Sequence, residues 1–408
     1  MNLETLVVAV FAAVYLGMAL GRWPGTRIDR TGVALIGAIA LATVGAVDAE
    51  LLRRTVDLPT LAILFALMVL SSQVTASGFF ERVSAAIAAS TAAPPVILAL
   101  VIAVAGLLAA VLTNDVVVWA MTPVLVRGLR ERGLDPRPFV IALAAAANAG
   151  SAATVIGNPQ NLLIGETASL AFWPFLAICG VPAAAAMAIV FLVVFWQCRR
   201  WPAQGPAPAR LAARPAIDRG MLAKGVLAAL AIIVVFSLPV ERWVWSLGVA
   251  GLLLLSRQLS TRQMLSMVDW HLLLLFASLF VVTGALAGTG AIAATLASLR
   301  QWNLDLAAMP VLAAAALLGS NTIGNVPLVT LLLALDLGLG AKQLPALALF
   351  STLAGNLLIV GSIANIIAVE RAAAEGVRIG FIDYARIGVP ATLLSLTFAY
   401  VWLVSILG

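Results

Sequence analysis

The chain has 408 residues, of which 63% are apolar and only 10% charged, with a mean hydropathy of +1.09. An ordinary soluble domain carries roughly a quarter of its residues as charges, so that class is excluded. The net charge of +6 does not point to nucleic acid, because the basic residues cluster in short loops between apolar runs.

Apolar runs fall near 5–20, 31–47 and 58–77, followed by an amphipathic stretch at 79–92. Two longer regions, 95–126 and 139–165, are each broken by polar residues, and a span at 172–196 closes the first half. Residues 197–220, rich in Pro, Ala and Arg, form a linker. Runs then recur near 221–238, 243–256 and 270–288, with an amphipathic stretch at 290–300, broken regions at 306–335 and 344–369, and a last span at 387–407. This predicts an all-α polytopic membrane protein of about ten transmembrane helices plus two re-entrant hairpins, at ~20 apolar residues per span. The first run follows Glu4 rather than a basic segment, so it reads as a retained span and not a signal peptide.

If 95–126 and 306–335 are hairpins that enter and leave on one side, both termini lie outside. Of the 24 Lys and Arg residues, 19 then fall in cytoplasmic loops and 5 (Arg53, Arg54, Arg242, Arg300 and Lys342) outside, as the positive-inside rule requires. Hairpins that crossed the membrane would place Arg199, Arg200, Arg210, Arg214, Arg219 and Lys224 outside. The two halves, 1–196 and 221–408, also share letters. The run from Val56 resembles that from Val268, Asn114 matches Asn325 at a spacing of 211, and Gly157–Asn161 matches Gly361–Asn365 at 204. The charge-based orientation puts Asp57 outside and its counterpart Asp269 inside, the swap that inverted repeats require.

The candidate binding residues lie at four polar breaks inside apolar sequence. They are Thr113, Asn114 and Asp115; Gly157, Asn158, Gln160 and Asn161; Ser320, Asn321, Thr322 and Asn325; and Gly361, Ser362 and Asn365. A break at membrane depth frees backbone groups that lipid cannot satisfy, so it belongs in buried protein or beside water. Freed carbonyls there hold cations, and freed amides hold anions. A single break could equally be a kink with Asn gluing helices, but four in corresponding positions point to a transport site. Asp115 is the only acid or base away from a segment end in the broken regions. An acid there costs on the order of 3 kcal/mol on insertion scales, which marks Asp115 as a proton carrier or cation ligand; the alternative is a structural cap. No Lys or Arg lies within these regions, which suits a neutral or singly charged solute.

Cys179 and Cys198 sit 19 residues apart on one expected helix and cannot pair. With one histidine, His271, and no Cys/His spacing, no metal site, catalytic constellation or cofactor is expected. Asp269 and His271 read as interfacial anchors or a proton relay. Glu166 and Asp336 sit at segment ends. Trp23, Trp173, Trp201, Trp243, Trp245 and Trp270 suit an interfacial belt.

The letters TNDVVVWAMTPVL (113–125), VIGNPQNLLIG (155–165), NTIGNVPLV (321–329) and GNLLIVGSIANIIAVE (355–370) resemble the ion transporter superfamily. That group contains arsenite permeases, NhaD-type antiporters, citrate–metal symporters and divalent anion/sodium symporters; the Asn114-Asp115 pair with Thr122-Pro123 looks most like its prokaryotic anion permease branch. The resemblance implies hairpin tips at 113–115 and 320–325, unwound helices at 157–161 and 361–365, and elevator-type transport on a scaffold that often dimerises. The first tip departs from the Ser-Asn-Thr of the sodium/dicarboxylate branch, and Gly157–Asn161 lacks that branch's double proline.

The expectation is therefore a secondary transporter in a bacterial or archaeal inner membrane. It would move a small inorganic anion or oxyanion-type solute such as arsenite or antimonite, coupled to H+ or Na+, with Asp115 as the proton-coupling group. The alternatives are a sodium- or proton-coupled citrate or dicarboxylate symporter and a channel-like subunit working with a separate ATPase; the chain has no phosphate-binding loop of its own.

Overall fold

The computed structural model describes residues 2–21, 23, 25–198, 216–302, 304–340 and 342–407, without the side chain of Arg300. Most of the expected linker, 199–215 with Trp201 and four of its arginines, lies outside the described residues, as does Arg22.

All regular structure among the described residues is helical. The first half runs α1 (Leu3–Leu20), α2 (Arg30–Thr43), α3 (Ala49–Thr55), α4 (Leu58–Ala76), α5 (Phe79–Ala88), α6 (Pro94–Ala109), α7 (Asn114–Glu131), α8 (Arg137–Ser151), α9 (Pro159–Thr167) and α10 (Phe172–Gln197). The second runs α11 (Arg219–Ser237), α12 (Arg242–Leu254), α13 (Thr261–Ser266), α14 (Trp270–Ala287), α15 (Ala291–Gln301), α16 (Met309–Thr322), α17 (Asn325–Ala334), α18 (Gln343–Ala354), α19 (Ile363–Ala374) and α20 (Phe381–Leu407). Six of these helices are long and apolar enough to cross a membrane: α1, α4, α10, α11, α14 and α20. The sequence reading missed α3 and α13, which are seven and six residues long and too short to show a helical period. Each is set by an N-cap instead: Asp48 accepts from the Leu51 amide, and Ser260 and Gln263 form a reciprocal capping box.

Contacts between the halves come in reciprocal pairs. Helix α4 packs on α11 and α12, and α14 packs on α1 and α2. Helix α7 packs on α19 while α17 packs on α9, and α10 packs on α20. Helix α8 is buried from Phe139 to Ser151 and α18 from Leu344 to Ala354, which places both at the centre. The run Ala144–Ala147 with Ala149 and Gly150 explains why α8 can lie there: a Cβ on Gly150 would fall 2.1 Å from the Gly106 carbonyl oxygen, so α6 and α8 touch backbone to backbone. Outward faces instead carry Leu16, Ile36, Leu192, Leu227, Leu252 and Val401 exposed, an apolar belt suited to lipid.

Charged loops gather at the two ends. At one end Arg127 pairs with Glu375 at 2.7 Å and Arg132 donates to Ser90 and Ala92 carbonyls at 2.7 and 3.1 Å. Elsewhere Gln258 donates to Asp218 at 2.7 Å, and Thr31 donates to the His271 carbonyl at 3.4 Å. At the other end Arg242 pairs with Glu166 at 3.1 Å, both side chains only 12–13% exposed.

Candidate functional site

Four helix interruptions face the middle of the molecule. Helices α6 and α7 are separated by Ala110–Thr113, and α16 and α17 by Ile323 and Gly324 alone. Helix α8 gives way to an irregular stretch over 152–158, and α18 to one over 355–362 that holds a 3-10 turn at Ile359–Gly361. Local chemistry fixes each restart. Pro159 occupies the first turn of α9, where a missing N–H costs nothing, and Asn158 caps that turn by accepting from the Asn161 amide at 2.9 Å. Gly324 takes φ +98°, a region closed to other residues without strain, and turns the chain into α17.

Two asparagines hold the irregular stretches by the same device. Asn161 donates to the carbonyls of Ser151 and Thr154 at 3.2 and 3.0 Å; Asn365 donates to those of Gly355 and Leu358 at 2.7 and 3.2 Å. Their amides satisfy acceptors that the broken helices release, the accounting that a water-poor interior demands. Both glycines are required by close approach: a Cβ on Gly157 would meet the Ser151 carbonyl oxygen at 2.3 Å, and one on Gly361 would meet Asn321 Oδ1 at 2.5 Å.

The breaks are joined by a buried network centred on Asn148, which sequence reasoning passed over inside its alanine run. Asn148 Oδ1 accepts from Asn114 at 2.8 Å and from Ser362 at 3.1 Å. Its Nδ2 donates to Asn356 at 2.8 Å and Asn365 at 3.0 Å. Both lone pairs and both hydrogens of one amide are thus used, and they link the first tip to the second irregular stretch. Thr352, at the repeat spacing of 204 from Asn148, accepts from Asn158 and Gln160 at 3.3 and 3.1 Å and donates to Asn161 at 3.3 Å. That spacing was the signal that could have found both hubs. The first tip is also tied by its backbone, the Asn114 amide donating to the Gly157 carbonyl at 3.3 Å.

Around this network the predicted residues separate into three groups. Asn114, Asp115, Gln160, Asn325 and Ser362 meet at one small cleft of ≈ 10 Å³, room for about one water-sized occupant. Ser320, Asn321 and Thr322 lie in the last turn of α16, before the bend rather than at it. Ser320 donates to the Ser351 carbonyl at 3.1 Å and Asn321 to the Ala354 carbonyl at 2.8 Å, while Thr322 bonds back to Leu318. Thr113 faces a larger cavity of ≈ 330 Å³ together with Ser72, Thr75, Ser266, Asp269 and Asp115. Asp115 is shared by that vestibule and the cleft, and it has no hydrogen-bond or ion-pair partner among the described residues. Its place in the first turn of α7 gives the carboxylate the favourable end of the helix dipole. The Arg242–Glu166 end has a separate cavity of ≈ 650 Å³ that shares no lining residue with the cleft.

One expectation about charge needs amending. No base sits within the broken segments, yet Arg30 reaches the second tip from the start of α2 and lines a further cleft with Gly324, Asn325, Gly361 and Ser362. The sequence could not show this, because the contact spans almost 300 positions.

Residues 15–345 match the profile of the citrate transporter family, CitMHS. The chain belongs to that family. Full-length relatives agree. A 46 kDa membrane protein of Mycobacterium leprae (strain TN) is 29% identical, across 98% of this chain and 99% of that protein. An uncharacterized transporter of Mycobacterium tuberculosis (strain ATCC 25618 / H37Rv) is 30% identical, with the same coverage of each chain. A silicon efflux transporter of Oryza sativa subsp. japonica is 35% identical over 38% of this chain and 32% of its own length. This member of the CitMHS family is a multi-pass membrane transporter, and the family places it with the arsenite permease-like proteins that its motifs resemble.

Proposed function

We propose that the chain is a secondary active transporter of the inner membrane, moving a small inorganic anion or oxyanion-type solute of the arsenite or antimonite kind, coupled to H+ or Na+. The observation that carries this reading is the place of Asp115. An unpartnered carboxylate forms the boundary between an open vestibule and a cleft lined otherwise by amides and a hydroxyl. A group so placed can take a proton or cation from the vestibule while the neighbouring amides hold the solute. Its uncompensated charge is costly to carry through lipid, so movement of the site favours the neutralised form; that is coupling.

Alternating access would proceed with the four breaks as one unit. Asn148 and the Asn114–Gly157 backbone bond connect the first tip to both irregular stretches, and Ser320 and Asn321 connect the second tip to α18. The reciprocal packing of the halves supports inverted topology, whose two related arrangements exchange one access route for the other. The small cleft, and the silicon efflux named for the rice relative, support a compact inorganic solute.

The family's description, a citrate transporter, favours a second reading, a sodium- or proton-coupled citrate or dicarboxylate symporter. Flux into everted vesicles separates the two: arsenite accumulation driven by a pH or sodium gradient supports the first, and citrate accumulation without arsenite transport supports the second. Asp115→Asn should abolish gradient-driven accumulation while leaving downhill exchange; accumulation at the wild-type level would refute the role given to Asp115.

A further inference from the structure

The geometry points to an anion subsite at the second hairpin tip, with the Arg30 guanidinium as the counter-charge. The inference rests on the central cleft being the solute site, and it narrows the solute to one bearing a negative charge.

Arg30 Nε donates to the Met18 carbonyl at 3.1 Å, the only hydrogen bond of this side chain among the described residues, and no carboxylate pairs with it. One end nitrogen of the guanidinium lies 3.9 Å from where a Cβ on Gly324 would sit, so the charge faces the bend itself. The cleft there, ≈ 20 Å³, shares Asn325, Val326, Ser362 and Ile363 with the cleft of Asp115, so the two lie side by side at the tip.

The other polar groups at this spot are also donors. Asn325 is 6% exposed; its Oδ1 is taken by the Val326 amide at 2.9 Å, which fixes the side chain so that Nδ2 is left without a partner. Helices α17 and α19, of ten and twelve residues, both begin here; in α17 the Val326 amide is already bonded to Asn325 and Pro327 has none, whereas the first amides of α19 meet no side-chain cap. Ser362 instead donates to Asn148. A guanidinium, the free side-chain N–H of Asn325 and the uncapped start of α19 form a site with donors and no acidic lining residue, which favours an oxyanion or carboxylate. The first tip has the opposite character. There Asp115 is a carboxylate, and Asn114 Oδ1 is a buried acceptor without a partner. The centre is therefore polarised, with a place for a cation or proton at the first tip and for an anion at the second.

Purified wild type, Arg30→Gln, Arg30→Lys and Asn325→Asp would be titrated at pH 7 with arsenite, which is largely uncharged there, and with arsenate and citrate as inorganic and organic anions, following the ligand-dependent rise in Tm. Arsenate or citrate should stabilise the wild type. Arg30→Gln should weaken that anion at least tenfold and Arg30→Lys less, while Asn325→Asp, which keeps the shape and the Met18 contact but adds a negative charge, should abolish its binding. Stabilisation of wild type by arsenite alone, or unweakened anion binding in Arg30→Gln or Asn325→Asp, overturns the subsite. If Arg30→Gln fails to fold, Asn325→Asp decides. Gln160→Ala distinguishes this failure from that of the parent reading: loss of binding there with none in Arg30→Gln removes only the subsite. A wild type stabilised by no probe removes the subsite and the solute cleft together.

Discussion

Asn148 offers the most direct measure of how the site is held together. Replacing it by alanine removes four hydrogen bonds of 2.8–3.1 Å and strands groups on the buried residues Asn114, Ser362, Asn356 and Asn365. Side-chain bonds between membrane helices average about 0.6 kcal/mol and buried bonds in general about 1 kcal/mol, so the loss should come to roughly 2.5–4 kcal/mol. Thr352→Ala is the internal comparison. It removes three bonds of 3.1–3.3 Å at the repeat-related position, on average longer than those of Asn148, and the Asn158 Nδ2 keeps its bond to Ser151. Its cost should be nearer 1–2 kcal/mol. Unfolding both variants in mixed detergent–SDS micelles, followed by tryptophan fluorescence, gives the two values. An Asn148→Ala loss no greater than that of Thr352→Ala would refute the ranking of Asn148 as the stronger of the two hubs.

Other perturbations should give distinct results. Gly150→Ala places a methyl group against the Gly106 backbone, where no side chain can swing aside, and should lower Tm and yield sharply; wild-type stability in a melt would show that α6 and α8 are not locked there. Glu166→Gln loosens the pair between α9 and α12 that stands at the end away from the vestibule, and should shift the balance of access states by up to about fivefold, the equivalent of ~1 kcal/mol. The rate at which a polar thiol reagent labels a cysteine placed at Thr75, in the vestibule wall, reports that shift; an unchanged rate would show that the pair does not bias the access states. Asn161→Ala and Asn365→Ala should each destabilise by roughly 1–2 kcal/mol, since each leaves two freed carbonyls without a donor. A loss in one with none in the other would show that the two irregular stretches are not held alike.

Much of the molecule could be read from letters because lipid imposes a strict rule. Runs of about 20 apolar residues must become helices, and Gly, Pro and Asn within them must become breaks that the protein itself satisfies. The positions of α4, α10, α14 and the starts of α9 and α17 followed from that rule, whereas Asn161 and Asn365, marked as binding residues, spend their side-chain amides on the freed carbonyls. The same rule gives no information on direction. It marked Ser320, Asn321 and Thr322 beside Asn325, though the first three turn toward their own helix and α18 while Asn325 alone meets the cleft.

By itself the sequence determined where helices run, where they stop, and that one carboxylate sits among them without a base nearby in the chain. Only the tertiary structure decided which polar groups spend their hydrogen bonds on the backbone and which remain free for a solute. It alone brought Arg30 to a bend almost 300 residues away and made Asn148 the junction of two breaks. Apolar runs and breaks are local consequences of a solvent that offers no hydrogen bonds. Partner choice depends on packing between segments, and no local pattern encodes which distant atoms that packing will bring within 3 Å.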